Sequence, residues 1–213
     1  MDLRQSEKYG EYLGLLGWII KEIPGDSPLK IFLRRLPVFG LSVGKIQRPE
    51  GKIDFPAVNK IAKENRALSI KLEPVKNPPS PESGFLPDRW PLLPTATIKI
   101  NLSESFEEIL ARAGKDTRYC LRQAEKNNLT TKTISSPESA DIEKFYRLWS
   151  INAKNRGFWI PFKKEIAALC RAFGKDAWII FSQRGESLLA ADLIVKADDT
   201  VYYLHAASTP EGR

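Results

Sequence analysis

Cysteine, histidine and methionine are nearly absent: the 213 residues hold two Cys, one His and one Met. Two thiols cannot form a disulfide framework. Cys120 and Cys170 both sit inside apolar helical patterns, where free, buried thiols are expected. With one histidine, no CxxC and no HExxH, a zinc site lacks ligands. The opening MDLRQSEKYG has neither a basic n-region nor an apolar h-region, so it does not read as a secretory signal. The apolar run Leu13 to Ile20 is interrupted and too short to span a bilayer. There is no GxSxG, P-loop or GxGxxG, and no obvious carboxylate pair. No side chain is singled out as a nucleophile or other catalytic group, so positioning and electrostatics would have to carry any catalysis. A reduced, cytoplasmic protein is expected.

What the chain does have is aromatic residues and positive charge. Five Trp, ten Phe and six Tyr exclude a disordered chain, because they bury enough apolar area to offset the ordering entropy. Lys and Arg outnumber Asp and Glu by 33 to 26, a net charge of +7 that suits polyanionic partners. The length allows one large or two small domains.

Hydrophobic spacing predicts a helix over residues 5–17 with Tyr9, Tyr12, Leu13 and Leu16 on one side. Strands follow at Trp18 to Ile23, Pro28 to Leu36 and Leu41 to Gln47, with a turn over residues 37–40. A helix over Asp54 to Asn65 has Asp54 as N-cap and Pro56 in its first turn, and Ala67 to Glu73 reads as a strand. Residues 74–94 hold seven prolines, which forbid helix and central strand. Phe85, Trp90, Leu92 and Leu93 make this segment an ordered loop or lid rather than a linker. Thr95 to Leu102 reads as a further strand. A helix capped by Ser103 or Ser105 then runs from about Phe106 to Asn127, weakened or bent at Gly114. In the second half a strand at Leu129 to Ile134 precedes helices over Pro137 to Asn155 and Phe162 to Phe173. A meander closes it, at Ala177 to Ser182, Leu188 to Lys196 and Thr200 to Ala207. The final Ser208-Thr209-Pro210-Glu211 reads as the opening of a helix that does not follow, so a fragment cut inside its second domain is expected.

Four groups of residues bear on function. On a helix, Lys115, Arg118, Arg122 and Lys126 line one stripe, which either holds phosphates or is simply a solvated face. Arg34, Arg35, Lys45 and Arg48 cluster at strand ends, as an anion site or as edge protection. Lys154 to Trp159 ends a helix in cations and two aromatics. Those cations suit a helix C-terminus, and the rings either stack on a base or sugar or close a core. His205 in the last strand is a general base or, more commonly, a core or edge histidine; Asp192, polar within an apolar strand, is open to the same two readings.

The string KDTRYCLRQAEKNNL after TIKINLS resembles the segment joining two GNAT-like domains in the Fem (FemA/FemB/FemX) peptidoglycan-bridge aminoacyltransferases. QSEKYGEYLGLLGW, ALSIKLEP, SPESADIEKFYRLWSINAKNRGF and LLAADLIVKADDTVYYLHAAST resemble family elements in the same order, over nearly the whole chain. The resemblance implies an α+β fold of two GNAT-like domains with mostly antiparallel sheets flanked by helices. Residues 1–127 form the first, ending in the long basic helix; 128–213 form the second, incomplete. It implies a cytoplasmic, monomeric enzyme without a cofactor. Its co-substrate would be aminoacyl-tRNA, and its acceptor an amine on the stem peptide of a lipid- or nucleotide-linked muropeptide. Peripheral membrane contact is compatible with this, and no transmembrane segment is expected. Carried over, Lys45 and Arg48 bind precursor phosphates, and Arg118, Tyr119 and Arg122 support the domain junction or the substrate cleft. Where relatives place an Arg or Tyr after Gly157-Phe158, this chain has WIPFKKEI, so Lys163 or Lys164 stands in. The alternatives are an acyl-CoA-dependent GNAT N-acyltransferase, whose pyrophosphate loop would mark it, and a non-catalytic RNA- or polyanion-binding protein.

Overall fold

The computed structural model describes residues 1–37, 39–75, 83–94 and 96–212. It is an α+β chain with two four-stranded sheets, ordered β1-β2-β3-β4 and β5-β6-β7-β8.

A 3₁₀ turn, Leu3–Gln5, leads into α1 (Glu7–Leu15), whose N-cap Ser6 accepts from the Tyr9 amide. The first sheet comprises β1 (Ile19–Ile23), β2 (Leu29–Arg35), β3 (Ser42–Gln47) and β4 (Ala67–Glu73). β1, β2 and β3 are antiparallel, and β4 runs parallel to β3 after the crossover helix α2 (Phe55–Glu64). The predicted caps hold: Asp54 accepts from the Ala57 amide, and Pro56 lies in the first turn. One face of this sheet is apolar. Leu29, Ile31, Leu33 and Ile46 pack with Val58 of α2. Gly44 lies in the same row, where a Cβ would meet Leu33 at 2.8 Å and Ile70 at 3.0 Å.

The long basic helix is two helices, α3 (Phe106–Arg112) and α4 (Lys115–Lys126). Ala113 and Gly114 both leave helical dihedrals between them, so Gly114 marks a break rather than a bend. Ser105 caps α3 in a reciprocal box with Glu108. Two expectations fail in this region. Residues 96–102 are not a strand, and Thr95 lies outside the described residues. The alternation is present, but no described strand pairs with the segment, and Ile98 is 90 % exposed. Cys120 is exposed rather than buried, because no residue of α3 or α4 is buried.

The second sheet is antiparallel throughout: β5 (Thr130–Ser135) pairs with the first strand of a meander of β6 (Ala177–Arg184), β7 (Ser187–Ala197) and β8 (Thr200–Ser208). Gly185 and Asp198 take positive φ at its two hairpins. α5 (Ser139–Arg156) and α6 (Lys163–Phe173) cover one face, with Phe145, Trp149, Phe173, Phe181 and Leu193 in the core. Cys170 is buried there, and burial pushes its thiol up to about 12. Leu3, Tyr9 and Tyr12 pack into this same core. The Leu3 amide donates to the Tyr202 hydroxyl, and Lys8 pairs with Asp176. The N-terminal segment therefore joins the two sheets. Among the described residues no helix is long and apolar enough to cross a membrane.

Candidate functional site

The second face of the first sheet is polar. Register places Phe32, Lys45 and Lys71 in one row across β2, β3 and β4, with Gln47 beside Glu73 in a neighbouring row. Helix α1 covers part of this face: the Tyr9 and Phe32 rings meet edge to face at 5.9 Å. Below them the β2–β3 ladder stops at the Phe32–Lys45 pair. The Gln5 carboxamide fills the gap that follows. It accepts from the Lys30 amide at 2.7 Å and donates to the Gln47 carbonyl at 2.7 Å and the Lys30 carbonyl at 3.4 Å. Gln5 is 2 % exposed. A side chain from outside the sheet thus completes its hydrogen bonding at the floor of the site.

Lys45 stands next to this wedge. Its Nζ lies 4.7 Å from the centre of the Trp18 ring, and the Arg34 guanidinium carbon lies 5.6 Å from the same ring. No ion pair of Lys45 occurs among the described residues. Burial lowers its pKa to about 8, Glu73 partly opposes that shift, and Arg4 adds to it. A half-buried cation that forms no ion pair among the described residues, with Glu73 acting on it only at longer range, is ready for an anion from outside. Gln47 Nε2 donates to Glu73 at 3.2 Å, whereas Gln47 Oε1 is buried without a donor.

A strap borders the site. The Lys71 ammonium holds Asp88 at 2.7 Å and depresses that carboxyl. Glu73 accepts from the amides of Leu92 and Leu93, and Arg48 donates to the Pro94 carbonyl at 2.5 Å. Phe85 packs on Phe55 at 5.6 Å. The expected ordered loop is thus tied to the sheet at several points over 83–94, while residues 76–82 lie outside the described set. Apolarity was only part of the reason: Trp90 is 81 % exposed and Leu92 54 %.

The six predicted binding residues fall into three places. Lys45 and Arg48 share the end of β3, although Arg48, in the left-handed region at φ 52°, spends its guanidinium on the strap. Arg118, Tyr119 and Arg122 lie on α4. Arg118 donates to the carbonyls of Ala113 and Ala111 and so closes the end of α3, whereas Tyr119 is 56 % exposed. Arg122, Lys115 and Lys126 form no ion pair among the described residues and remain a solvent-facing stripe. Lys163 opens α6 and is paired with Glu143 at 2.6 Å. Sequence reasoning missed Gln5, Trp18, Gln47 and Glu73. The one usable signal was the alternation of Val43, Lys45 and Gln47 against Gly44 and Ile46, which puts polar groups on one side of a strand.

In the second sheet His205 stacks on Trp149 at 4.4 Å, and burial lowers its pKa to about 4. This is the core-histidine reading, neutral at pH 7. The unfolded chain binds its proton below about 6.5, so the contribution to stability rises as pH climbs from 4 to 6.5. It amounts to roughly 3 kcal/mol at most. His205→Phe is expected to flatten that part of the stability–pH profile in urea titrations; an unchanged slope would count against a buried neutral imidazole. Asp192 accepts from the Tyr203 hydroxyl at 2.9 Å, and burial raises its carboxyl.

Residues 111–213 match the family model described as Acetyltransferase (GNAT) domain. No curated protein matches the chain. Among solved structures, FemX aligns with a TM-score of 0.75 at 15 % identity, covering 99 % of this chain and 76 % of its own. The C-terminal domain of a protein designated lysylphosphatidylglycerol synthetase, from Agrobacterium fabrum, aligns with a TM-score of 0.53 at 8 % identity. It covers 98 % of this chain and 66 % of that one. At such identities the likeness is one of fold. The chain therefore has the α+β fold seen in FemX, with two four-stranded sheets flanked by helices, and its residues from 111 onward match the acetyltransferase (GNAT) domain model.

Proposed function

We propose that the protein is an acyltransferase that moves an amino acid from aminoacyl-tRNA to the stem-peptide amine of a peptidoglycan precursor. The observation that supports this most directly is Lys45: a half-buried cation with no ion pair among the described residues, against an indole, in a chain with the fold of FemX. A phosphate of a lipid- or nucleotide-linked muropeptide supplies the missing anion, and the donor-free Gln47 Oε1 marks the polar floor beside it. The solvent-facing cations of α4 suit the second polyanion, tRNA, whose binding then weakens steeply with salt.

In the reaction the acceptor ammonium first gives up a proton. The free amine attacks the ester carbonyl of the charged tRNA. The C–N bond forms, the ester C–O bond breaks, and the ribose hydroxyl leaves with a proton. Holding amine and ester together is the main requirement, since a good near-attack geometry replaces a bimolecular encounter. Acyl-CoA as donor is the second reading, favoured by the acetyltransferase description of the matching domain. The test is a paired assay with a muropeptide acceptor and either tRNA charged with labelled amino acid or labelled acetyl-CoA. Label moving from tRNA into the muropeptide is expected. Transfer from acetyl-CoA alone, or from neither donor, overturns the proposal.

A further inference from the structure

Between α5 and α6 the chain runs Gly157-Phe158-Trp159-Ile160-Pro161-Phe162. Gly157, at φ 69°, ends α5, and Phe162 is the N-cap of α6. Ile160 is anchored against the second core. Its aromatic neighbours are not: Phe158 is 43 %, Trp159 74 % and Phe162 60 % exposed. Loop aromatics commonly close a core, but these three face water from a loop that is itself held in place. Trp159 and Phe162 meet edge to face at 6.5 Å, so they form a patch rather than scattered rings. Cations surround it. Lys164 Nζ sits 5.8 Å from the centre of the Phe162 ring, and Lys154 and Arg156 are exposed in the last turn of α5. Of the four cations flanking the loop, Lys163 alone forms an ion pair among the described residues.

Exposed aromatics among unpaired Lys and Arg match the chemistry of an anionic bilayer interface. Indole and phenyl rings settle at the headgroup–acyl boundary, and ammonium and guanidinium groups meet lipid phosphates. Base stacking fits less well, because Phe162 has Lys164 over its face and Trp159 at its edge. No described helix spans a membrane, so the contact is peripheral and reversible. We propose that the 157–164 loop docks the protein on anionic lipid, with Trp159 and Phe162 inserted and Lys154, Arg156 and Lys164 on the headgroups. The proposal goes beyond the transfer reaction and stands or falls separately from it.

The test is co-sedimentation of the full chain with vesicles of phosphatidylglycerol and phosphatidylcholine in equal parts, against phosphatidylcholine alone. Binding to the anionic vesicles, weakened by salt, is expected. Trp159→Ala with Phe162→Ala should lower partitioning about tenfold or more. Lys154→Gln, Arg156→Gln and Lys164→Gln together should remove the preference for anionic lipid. These side chains are exposed, so circular dichroism and melting temperature should not change. If the aromatic double variant nevertheless melts early, Trp159→Ser alone carries the same expectation. The proposal is overturned if the wild-type chain does not sediment with anionic vesicles, or if both sets of variants bind as wild type. It is equally overturned if the variants keep vesicle binding and lose tRNA binding, which would make the loop a nucleic-acid surface.

Discussion

Lys45→Met is expected to weaken muropeptide binding and transfer by about 10- to 100-fold, the effect of losing one charged contact. The same substitution should stabilise the fold at pH 7 by about 2 kcal/mol. The two effects have opposite signs for one physical reason. The ammonium is desolvated beside Trp18, and Glu73 offsets that only in part, so the folded state disfavours its charged form. A Lys whose folded pKa lies near 8, against 10.5 when unfolded, carries this penalty in full below pH 8. Wild-type stability should therefore rise as pH goes from 8 to 10.5, where the unfolded chain holds the extra proton. The Met variant should show no such rise. Methionine suits the comparison because it keeps the length of the stem and a favourable contact with the indole. Urea unfolding at pH 7 and pH 10, paired with muropeptide titration, checks both halves. A variant that loses stability and keeps binding would show Lys45 to be structural.

Gln5→Leu is expected to cost about 3 kcal/mol or more of stability. Leucine has similar bulk, so the loss reports hydrogen bonds rather than a cavity. Three would go, and the Lys30 amide, the Lys30 carbonyl and the Gln47 carbonyl would be left buried without these partners. The urea midpoint should fall with little change in slope. A loss below about 0.5 kcal/mol would mean that the strands close the gap themselves. Because Gln47 belongs to the site, muropeptide affinity should fall as well, even at temperatures where the variant is fully folded.

Much of the fold is legible in local chemistry. Asp54 with Pro56, Ser105 with Glu108 and Gly157 are capping signals that act within a turn of chain, and the structure uses each of them. The meander over 177–208 is marked by its alternation and its turn residues. Failures occur where the outcome depends on a partner distant in sequence. Residues 96–102 alternate as a strand does, yet a strand exists only if another strand accepts its hydrogen bonds. Cys120 lies on the apolar side of a helix, but nothing described covers that side. The site divides in the same way. Lys45 and Arg48 were visible as cations at a strand end, and the family resemblance implied precursor phosphates as their ligand. Gln5 and Trp18 were not visible, because their roles arise from where α1 and the start of β1 come to rest on the sheet.

The seat of the first fifteen residues also bears on how the chain folds as it is made. Leu3 is held by Tyr202, 199 positions later, and Tyr9 and Tyr12 lean on a core built largely from residues beyond 140. This segment precedes nearly all of its partners in the chain and is therefore among the last to find its place. Until then Gln5 cannot close the gap between β2 and β3, so the first sheet waits half-stitched for distant sequence to arrive. Such long-range closure slows folding and prolongs the exposure of apolar surface. On this account α1 is the final latch of the molecule rather than its first brick.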